Sequence, residues 1–592
     1  MRAREFLSSM LMSLVSLAAA AAAENPTVQP ASAAQRPSGA RYIVQAASSR
    51  SAGQDVGRVG AKARQNLDII NAVSAYLNPR QAARLRAAPG VHVFEDRSLT
   101  TEGTGLLGLL SPITSPVVKT VSSVTTSPDG TGQLLPTLLY QTNYPMLVGA
   151  DMLQQAGITG KGVTIAVLDS GLWQDPMQNY ASRVLASIDV VNGGSGPVTG
   201  DPYGHGTHVT SIAAGGAMNV SGNYLSIAPK ANLVEVRAFS STGAGRYSDV
   251  IAGLNWIVAN RKKYNIRVLN LSFGATPQSY YWNDPVDQAV MAAWQAGIVV
   301  VAAAGNEGPT PMSIDVPGNV PYVITTGALT DNYTPYNASD DRLASFSSTG
   351  PTYEGFVKPE LVAPGGHMVA SMSSSSYLAN IDPGSMILTE QMFTMSGTSM
   401  AAAVTTGVVA LMLQSDPALT PDQVKCRLLA SSAPAVTSKG NLAYSVFQQG
   451  AGLINAVSAV NSSATNCANL GLDISADLAG IEHFGGPANK DADGNYYIMM
   501  MAGSTAPQAG DGFTWDQGYA AGQGYSWSQG YFWSQGYAWT QAYVWTNNYT
   551  WAKNYTWAKN YTWAKSVPWW SSSGSPVLVT TPASIENWVP NQ

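Results

Sequence analysis

Charge is scarce in this sequence, and so is cysteine. Acidic and basic residues together make up 11% of the chain, against about 25% in a typical soluble domain. The net charge is −5 and no Lys/Arg-rich block occurs, so neither a nucleic-acid backbone nor an anionic membrane is an expected partner. Cys426 and Cys467 are the only cysteines; an oxidising compartment permits one disulfide between them but does not imply it. No Cys or His spacing fits a zinc site. After the first residues, no apolar run is long enough to span a bilayer.

What is present has the balance of an exported protein, with abundant Gly, Ser, Thr and Asn. Residues 1–23 combine a basic start (Arg2, Arg4), an apolar middle and a small-residue exit. That pattern reads as a secretory signal cut near Ala23, the alternative being a membrane anchor. At 592 residues the chain exceeds a single core of about 250–300 residues, so several units are expected. Residues 24–39 read as disordered. Residues 40–98 read as a small strand/helix domain, with strands at "RYIVQA", "IINAVSAYL" and "VHVFED", a helix around "AKARQNL", and a second helix capped by Asn78 with Pro79 at its first position. Residues 99–140 read as a linker. From 141 to 463 short apolar runs alternate with helical stretches, the pattern of an α/β fold with a mainly parallel sheet covered on both faces. A further linker or extension at 464–512, repeats at 513–565 and a tail at 566–592 complete the division.

Parallel sheets place function at the carboxyl ends of their strands. Asp169 closes "TIAVLDSG", either as a functional carboxylate or as a turn-forming one. In "DPYGHGTHVTS", His205 sits between two glycines with His208 three residues on. Without a third ligand the pair makes a poor metal site, and His205 reads better as a general base oriented by Asp169. In "TMSGTSMAAAVTTG", Ser399 stands at the start of a small-residue helix whose dipole and free N–H groups favour a nucleophile and an oxyanion; alone, it would read as an ordinary cap. Gly407 is expected to let that helix pack deep against the sheet. Asn306, ending "VVVAAAGN", offers an amide donor for a developing negative charge.

Taken together, "AVLDSG", "GHGTHV", "VLNLSFG", "AAAGNEG" and "SGTSMA" resemble the subtilisin-like serine proteases, in that family's order and over about 320 residues. The resemblance implies a three-layer subtilisin-like fold, with Asp169, His205 and Ser399 as acid, base and nucleophile and Asn306 as oxyanion donor. It also implies that Ser272, Phe273 and Gly274 on one side, and Gly243 and Gly245 on the other, flank an extended substrate as neighbouring strands. Asp315 falls near the expected base of the primary pocket, where it would favour Lys or Arg; the alternative is a solvated loop residue. The domain at 40–98 resembles the family's inhibitory propeptide, which places a processing cut between about 99 and 145. No cofactor is expected for the chemistry. Relatives hold structural calcium, but no site is assignable here. The family's usual proline after the nucleophile is replaced by Ala403, and "VTT" follows it.

Residues 513–565 repeat every six positions, as in "GYSWSQ" and "NYTWAK", with Tyr and Trp two apart, for example Tyr525 and Trp527 or Tyr561 and Trp563. In an extended chain this period puts every ring on one face. Such a ladder could bind a polysaccharide or cell envelope, or dock as strands along the protease. The expected function is therefore a secreted, self-processed serine endopeptidase acting on polypeptides. A surface-binding protein on a protease scaffold is the rival from another class, and an esterase or peptide ligase the rival with the same chemistry.

Overall fold

The computed structural model describes residues 39–101, 144–332 apart from 199, 340–387, 391–435, 443–486 and 488–490, with short stretches at 496–498, 513–514, 538–540 and 543–544. The expected signal segment, the stretch after it, most of the first linker and most of the repeat lie outside these residues.

Two reciprocal caps build the N-terminal unit. Ser48 and Ser51 exchange side-chain and backbone hydrogen bonds to open α1 (Ser49–Arg58). Asn78 and Gln81 do the same for α2 (Pro79–Arg86), with Pro79 at its first position. Strands β1 (Ala40–Gln45), β2 (Ala63–Leu67), β3 (Ala72–Leu77) and β4 (His92–Glu95) form an antiparallel sheet in the order β2-β3-β1-β4. Val44, Val56, Val73, Leu77 and Leu85 fill the space between sheet and helices. The helix expected at 61–67 is instead strand β2. Its Ala, Arg and Gln favour a helix, but pairing with β3 prevails, and the helix lies earlier, where Ser48 caps it. A short strand, β5 (Ser98–Thr101), leaves the unit and enters the larger one.

The larger unit begins with α3 (Tyr144–Leu147) and α4 (Ala150–Gln155). Its strands are β6 (Thr164–Asp169), β7 (Val184–Asp189), β8 (Asn232–Arg237), β9 (Ala244–Arg246), β10 (Ile266–Leu271), β11 (Phe273–Gly274), β12 (Val299–Ala303), β13 (Ile324–Thr330), β14 (Arg342–Leu343) and β15 (Leu361–Pro364). Eight of them form one sheet in the order β14-β13-β12-β10-β6-β8-β7, with β15 also on β13; every pairing is parallel except β13 with β14. Ile165–Leu168 and Val299–Ala303 are fully buried, as strands covered on both faces must be. Helices α5 (His205–Ala214), α6 (Tyr247–Asn260), α7 (Pro285–Gln295), α8 (Tyr377–Ile381), α9 (Thr398–Ser415) and α10 (Pro421–Ser431) complete the layers. Helix α9 packs on β10, β12, β13 and β15 with α5 beside it, while α6 and α7 pack together. Gly253 of α6 lies against Leu168 and Val236, whereas Thr210 of α5 meets Glu235; neighbouring strand residues point to opposite faces, so α5 and α6 cover opposite sides of the sheet.

Gly407 does allow a close approach, but to a different neighbour from the sheet. A Cβ there would lie 2.4 Å from the Ile227 side chain and 2.9 Å from the Ala213 carbonyl at the end of α5. The segment expected as a linker from 464 onward is also partly packed. Cys426 and Cys467 form a disulfide that ties it to α10. The Asp477 carboxylate accepts from Tyr281 Oη at 2.6 Å and Tyr322 Oη at 2.9 Å, and meets His483 Nδ1 at 2.7 Å. Phe484–Gly485 pairs antiparallel with Phe513–Thr514, the first residues of the repeat, and Ala538–Thr540 pairs with Tyr543–Val544.

Candidate active site

An apolar strand, β6, delivers Asp169 to its carboxyl end, where the residue is 1% exposed. The Ser170 amide donates to Asp169 Oδ1 at 2.7 Å. His205 opens α5, and its Nδ1 lies 2.8 and 3.0 Å from the two carboxylate oxygens. A hydrogen on Nδ1 satisfies that contact and leaves Nε2 as the basic end of the ring. The approach depends on Gly206, since a Cβ there would stand 2.3 Å from the Gly171 carbonyl and 3.2 Å from Asp169 Cβ.

Asp201, not singled out from the sequence, holds the turn before His205. Its Oδ1 accepts from Ser170 Oγ at 2.9 Å and the Gly204 amide at 2.9 Å, and its Oδ2 accepts from the Thr207 amide and hydroxyl, both at 2.8 Å. Burial pushes its pKa up, and the hydrogen bonds from Gly204 and Thr207 pull it back. The signal for it lay in "DPYG", an acidic residue four before the base. His208 is no metal ligand: its Nε2 donates to the Phe393 carbonyl at 3.0 Å, and burial lowers its pKa to about 3.

Ser399 is the second residue of α9, fully buried, beside α5. Its hydroxyl donates to the Ser272 carbonyl at 3.1 Å. A hydroxyl has one hydrogen, so proton transfer to His205 requires that hydrogen to turn away from Ser272. Behind it runs a buried polar chain: Thr406 Oγ1 donates to Asn270 Oδ1 at 2.9 Å, Asn270 Nδ2 to Ser272 Oγ at 2.8 Å, and Ser272 Oγ to the Ser399 carbonyl at 2.9 Å. Thr406 belongs to the unusual "VTT", and it ties α9 to Asn270 on β10, whose amide in turn holds Ser272. Asn306 is oriented by Thr398, whose amide and hydroxyl both donate to Asn306 Oδ1, at 3.0 and 3.1 Å. With its oxygen accepting from Thr398, the amide's NH2 is the end whose chemistry suits donation to an oxyanion.

The two segments expected to flank a substrate do flank a strand, and it is the chain's own. Ser98, Leu99 and Thr100 of β5 pair antiparallel with Arg246, Gly245 and Ala244, and the Thr101 amide donates to the Gly243 carbonyl at 3.2 Å. On the other edge Thr101 and Thr100 pair with Phe273 and Gly274. Strand β5 has no local signal at 98–101, where the sequence reads as a linker from 99, because its pairing partners lie far away in sequence, at 244–246 and 273–274. Asp315 is 7% exposed, which excludes the solvated-loop alternative. Its amide donates to the Ala304 carbonyl, and the next residue, Val316, exchanges two hydrogen bonds with Ala275. Asp315 and Val316 thereby bridge the segment before Asn306 and the segment after Gly274. Among the described residues no group of three or more His, Cys, Asp or Glu gathers as a metal site.

The larger unit is similar in sequence to known proteins. A model of the subtilase family covers residues 160–452. Serine protease AprX of Bacillus subtilis (strain 168) is 42% identical over 277 residues, 45% of this chain and 60% of AprX. Subtilisin E of the same organism is 34% identical over 310 residues, 52% of this chain and 68% of that protein. Subtilisin DY of Bacillus licheniformis is 31% identical over 311 residues, 52% of this chain and 94% of that protein.

The chain belongs to the subtilase family of serine endopeptidases. Its eight-stranded, mainly parallel sheet between helical layers is the three-layer α/β subtilase fold. The residues outside the matched region include the whole N-terminal unit and the aromatic repeat.

Proposed function

We propose that the chain is the zymogen of an exported endopeptidase that cleaves polypeptides through Ser399, His205 and Asp169. Ser399 Oγ attacks the peptide carbonyl carbon while its proton passes to His205 Nε2, and the Asp169 carboxylate steadies the imidazolium through Nδ1–H. The carbonyl oxygen becomes an oxyanion held by Asn306 Nδ2–H and a backbone N–H at the start of α9. Collapse breaks the C–N bond, the amine leaves with the proton from His205, and water then hydrolyses the acyl-enzyme by the same steps. No cofactor takes part. Asp315 is proposed as an anionic floor to the primary pocket, favouring Lys or Arg.

The observation that carries this reading is β5, a strand from the N-terminal unit hydrogen-bonded on both edges in the cleft. The N-terminal unit is accordingly proposed as an intramolecular inhibitor, cut from the enzyme after β5. Its seat is polar as well as backbone-mediated: Arg41 bridges Asp96 at 2.6 Å and Asp249 at 2.7 Å, and Asp96 accepts from the Ser248 amide at the start of α6. The Tyr/Trp repeat is proposed to hold the enzyme at a polysaccharide or cell-envelope surface, which retention of the full chain but not of a 1–512 truncation on cell walls would test.

The deciding experiment labels the purified protein with a fluorophosphonate and maps both the adduct and the mature N-terminus. An adduct on Ser399 with a start between residues 102 and 145 is expected. Ser399→Ala should fold, lose at least about 10⁴-fold in activity and remain unprocessed. Full processing of that variant in isolation would overturn self-maturation.

A further inference from the structure

Behind Asp169, on the α5 face of the sheet, lies a cavity of about 300 Å³ that the peptidase chemistry does not use. Gln174, Ser187, Gly200 and Glu235 supply its polar lining, against Leu172 and Val184. Glu235 is 1% exposed. Among the described residues its Oε1 meets Thr210 Oγ1, at a long 3.5 Å, and its Oε2 meets no hydrogen-bond partner. The Tyr180 hydroxyl, also buried, is likewise unpartnered and feels the Glu235 charge. A buried carboxyl in this condition is costly and calls for a counterpart.

The surroundings indicate which counterpart. Strand register sets Glu235 opposite Val167 on β6, so its side chain shares a face with that of Asp169, its diagonal neighbour. Burial holds the Glu235 pKa well above the usual range, and the negative potential of Asp169 and Asp201 works in the same direction. Among the described residues no Lys or Arg compensates there: Arg183 is taken up by the carbonyls of Gln178, Ala214 and Ala231, and Arg237 by Asp189. The lining residues carry hard oxygens, in the Gln174 amide and the Ser187 hydroxyl, with a single carboxylate, that of Glu235, among them. One negative charge with neutral oxygens suits an alkali cation. Calcium usually takes 6–8 oxygens with several carboxylates, and zinc prefers nitrogen and sulfur.

We propose that the cavity lined by Glu235, Ser187, Gln174 and Gly200 is a binding site for a monovalent alkali cation, built against the back of Asp169. Binding neutralises Glu235 without a proton and stabilises the folded enzyme by mass action. This proposal is independent of the peptidase reading, and its test uses no activity measurement.

The full chain carrying Ser399→Ala is dialysed into choline chloride, and KCl or NaCl is exchanged in at constant ionic strength while Tm is followed. A saturable rise of about 3 °C or more is expected. Glu235→Gln, which keeps the shape and removes the charge, should abolish the rise, and Ser187→Ala should move its half-point to higher salt. Tl⁺, soaked into crystals as a stand-in for K⁺, should give an anomalous peak within reach of Glu235. A Tm response no different from that in choline, or one unchanged in both variants, would overturn the proposal and leave Glu235 as a neutral acid.

Discussion

Thr398 grips the side-chain oxygen of Asn306 twice, through its amide at 3.0 Å and its hydroxyl at 3.1 Å. The residue next to the nucleophile thus orients the amide proposed to receive the oxyanion. Preorganised donors gain their advantage by being fixed before charge develops. Asn306→Ala should lower kcat by about 10²–10³-fold, the range known for losing a side-chain oxyanion donor in this family, with KM little changed. Thr398→Val, which removes the hydroxyl's hydrogen bond but keeps the backbone one, should cost less, about tenfold in kcat. Steady-state kinetics on a peptide amide substrate checks both, and a change confined to KM would remove Asn306 from the oxyanion role.

Leu99 is the buried apolar residue of β5, 1% exposed and part of the hydrophobic cluster that contains Phe239, Tyr247 and Phe273. Neighbouring contacts of β5 are mostly backbone hydrogen bonds, which any extended peptide can make. Leu99→Ala should therefore weaken inhibition by the N-terminal unit by about 2–3 kcal/mol, or roughly 30- to 150-fold. Adding the isolated 39–101 fragment to mature enzyme and measuring Ki tests it. An unchanged Ki would mean that the Arg41–Asp96–Asp249 seat carries the affinity.

Asp315, 7% exposed, joins the segments at Ala304 and Ala275 through its own amide and that of Val316. A carboxylate at that depth should favour a cationic side chain by a charge-assisted hydrogen bond. Asp315→Asn keeps the size and removes the charge. The kcat/KM ratio of Lys or Arg over Leu at the residue before the cleaved bond should fall roughly 10- to 100-fold. The same ratio in both enzymes would return Asp315 to a structural role.

Much of this site was legible because its chemistry sits at strand ends and helix starts that local pattern reveals. Asp169 and Asn306 close apolar runs, and His205 and Ser399 open helices beside glycines. Less visible were residues that act through partners far away in sequence. Asp201 organises the turn before His205, and Thr398 orients Asn306, yet neither has a periodic signal. Strand β5 could not be read at all, since its partners lie at 243–246 and 273–274. The helix misplaced at 61–67 shows the converse: propensity favoured it, and pairing with β3 overrode it. The helix at 49–58 was hidden by its two glycines, and Ser48 with Ser51 was its only local mark.

His208 carries a consequence for stability that is separate from catalysis. Burial lowers its pKa from 6.5 to about 3, and its Nε2–H is held by the Phe393 carbonyl. The folded protein keeps this ring neutral, while the unfolded chain takes up a proton below pH 6.5. Unfolding is therefore favoured progressively as pH falls through 6.5, and the loss levels off near 3. At 1.36 kcal/mol per unit, about 2–3 kcal/mol should be gone two pH units below the unfolded pKa. Chemical denaturation of the Ser399→Ala protein, which cannot digest itself, should show that slope. Adding His208→Gln, which keeps an N–H donor but does not titrate, should flatten it even if stability at neutral pH is lower. Parallel profiles for the two proteins would mean that His208 is protonated in the folded state and that other groups, the buried carboxylates foremost, set the acid limit.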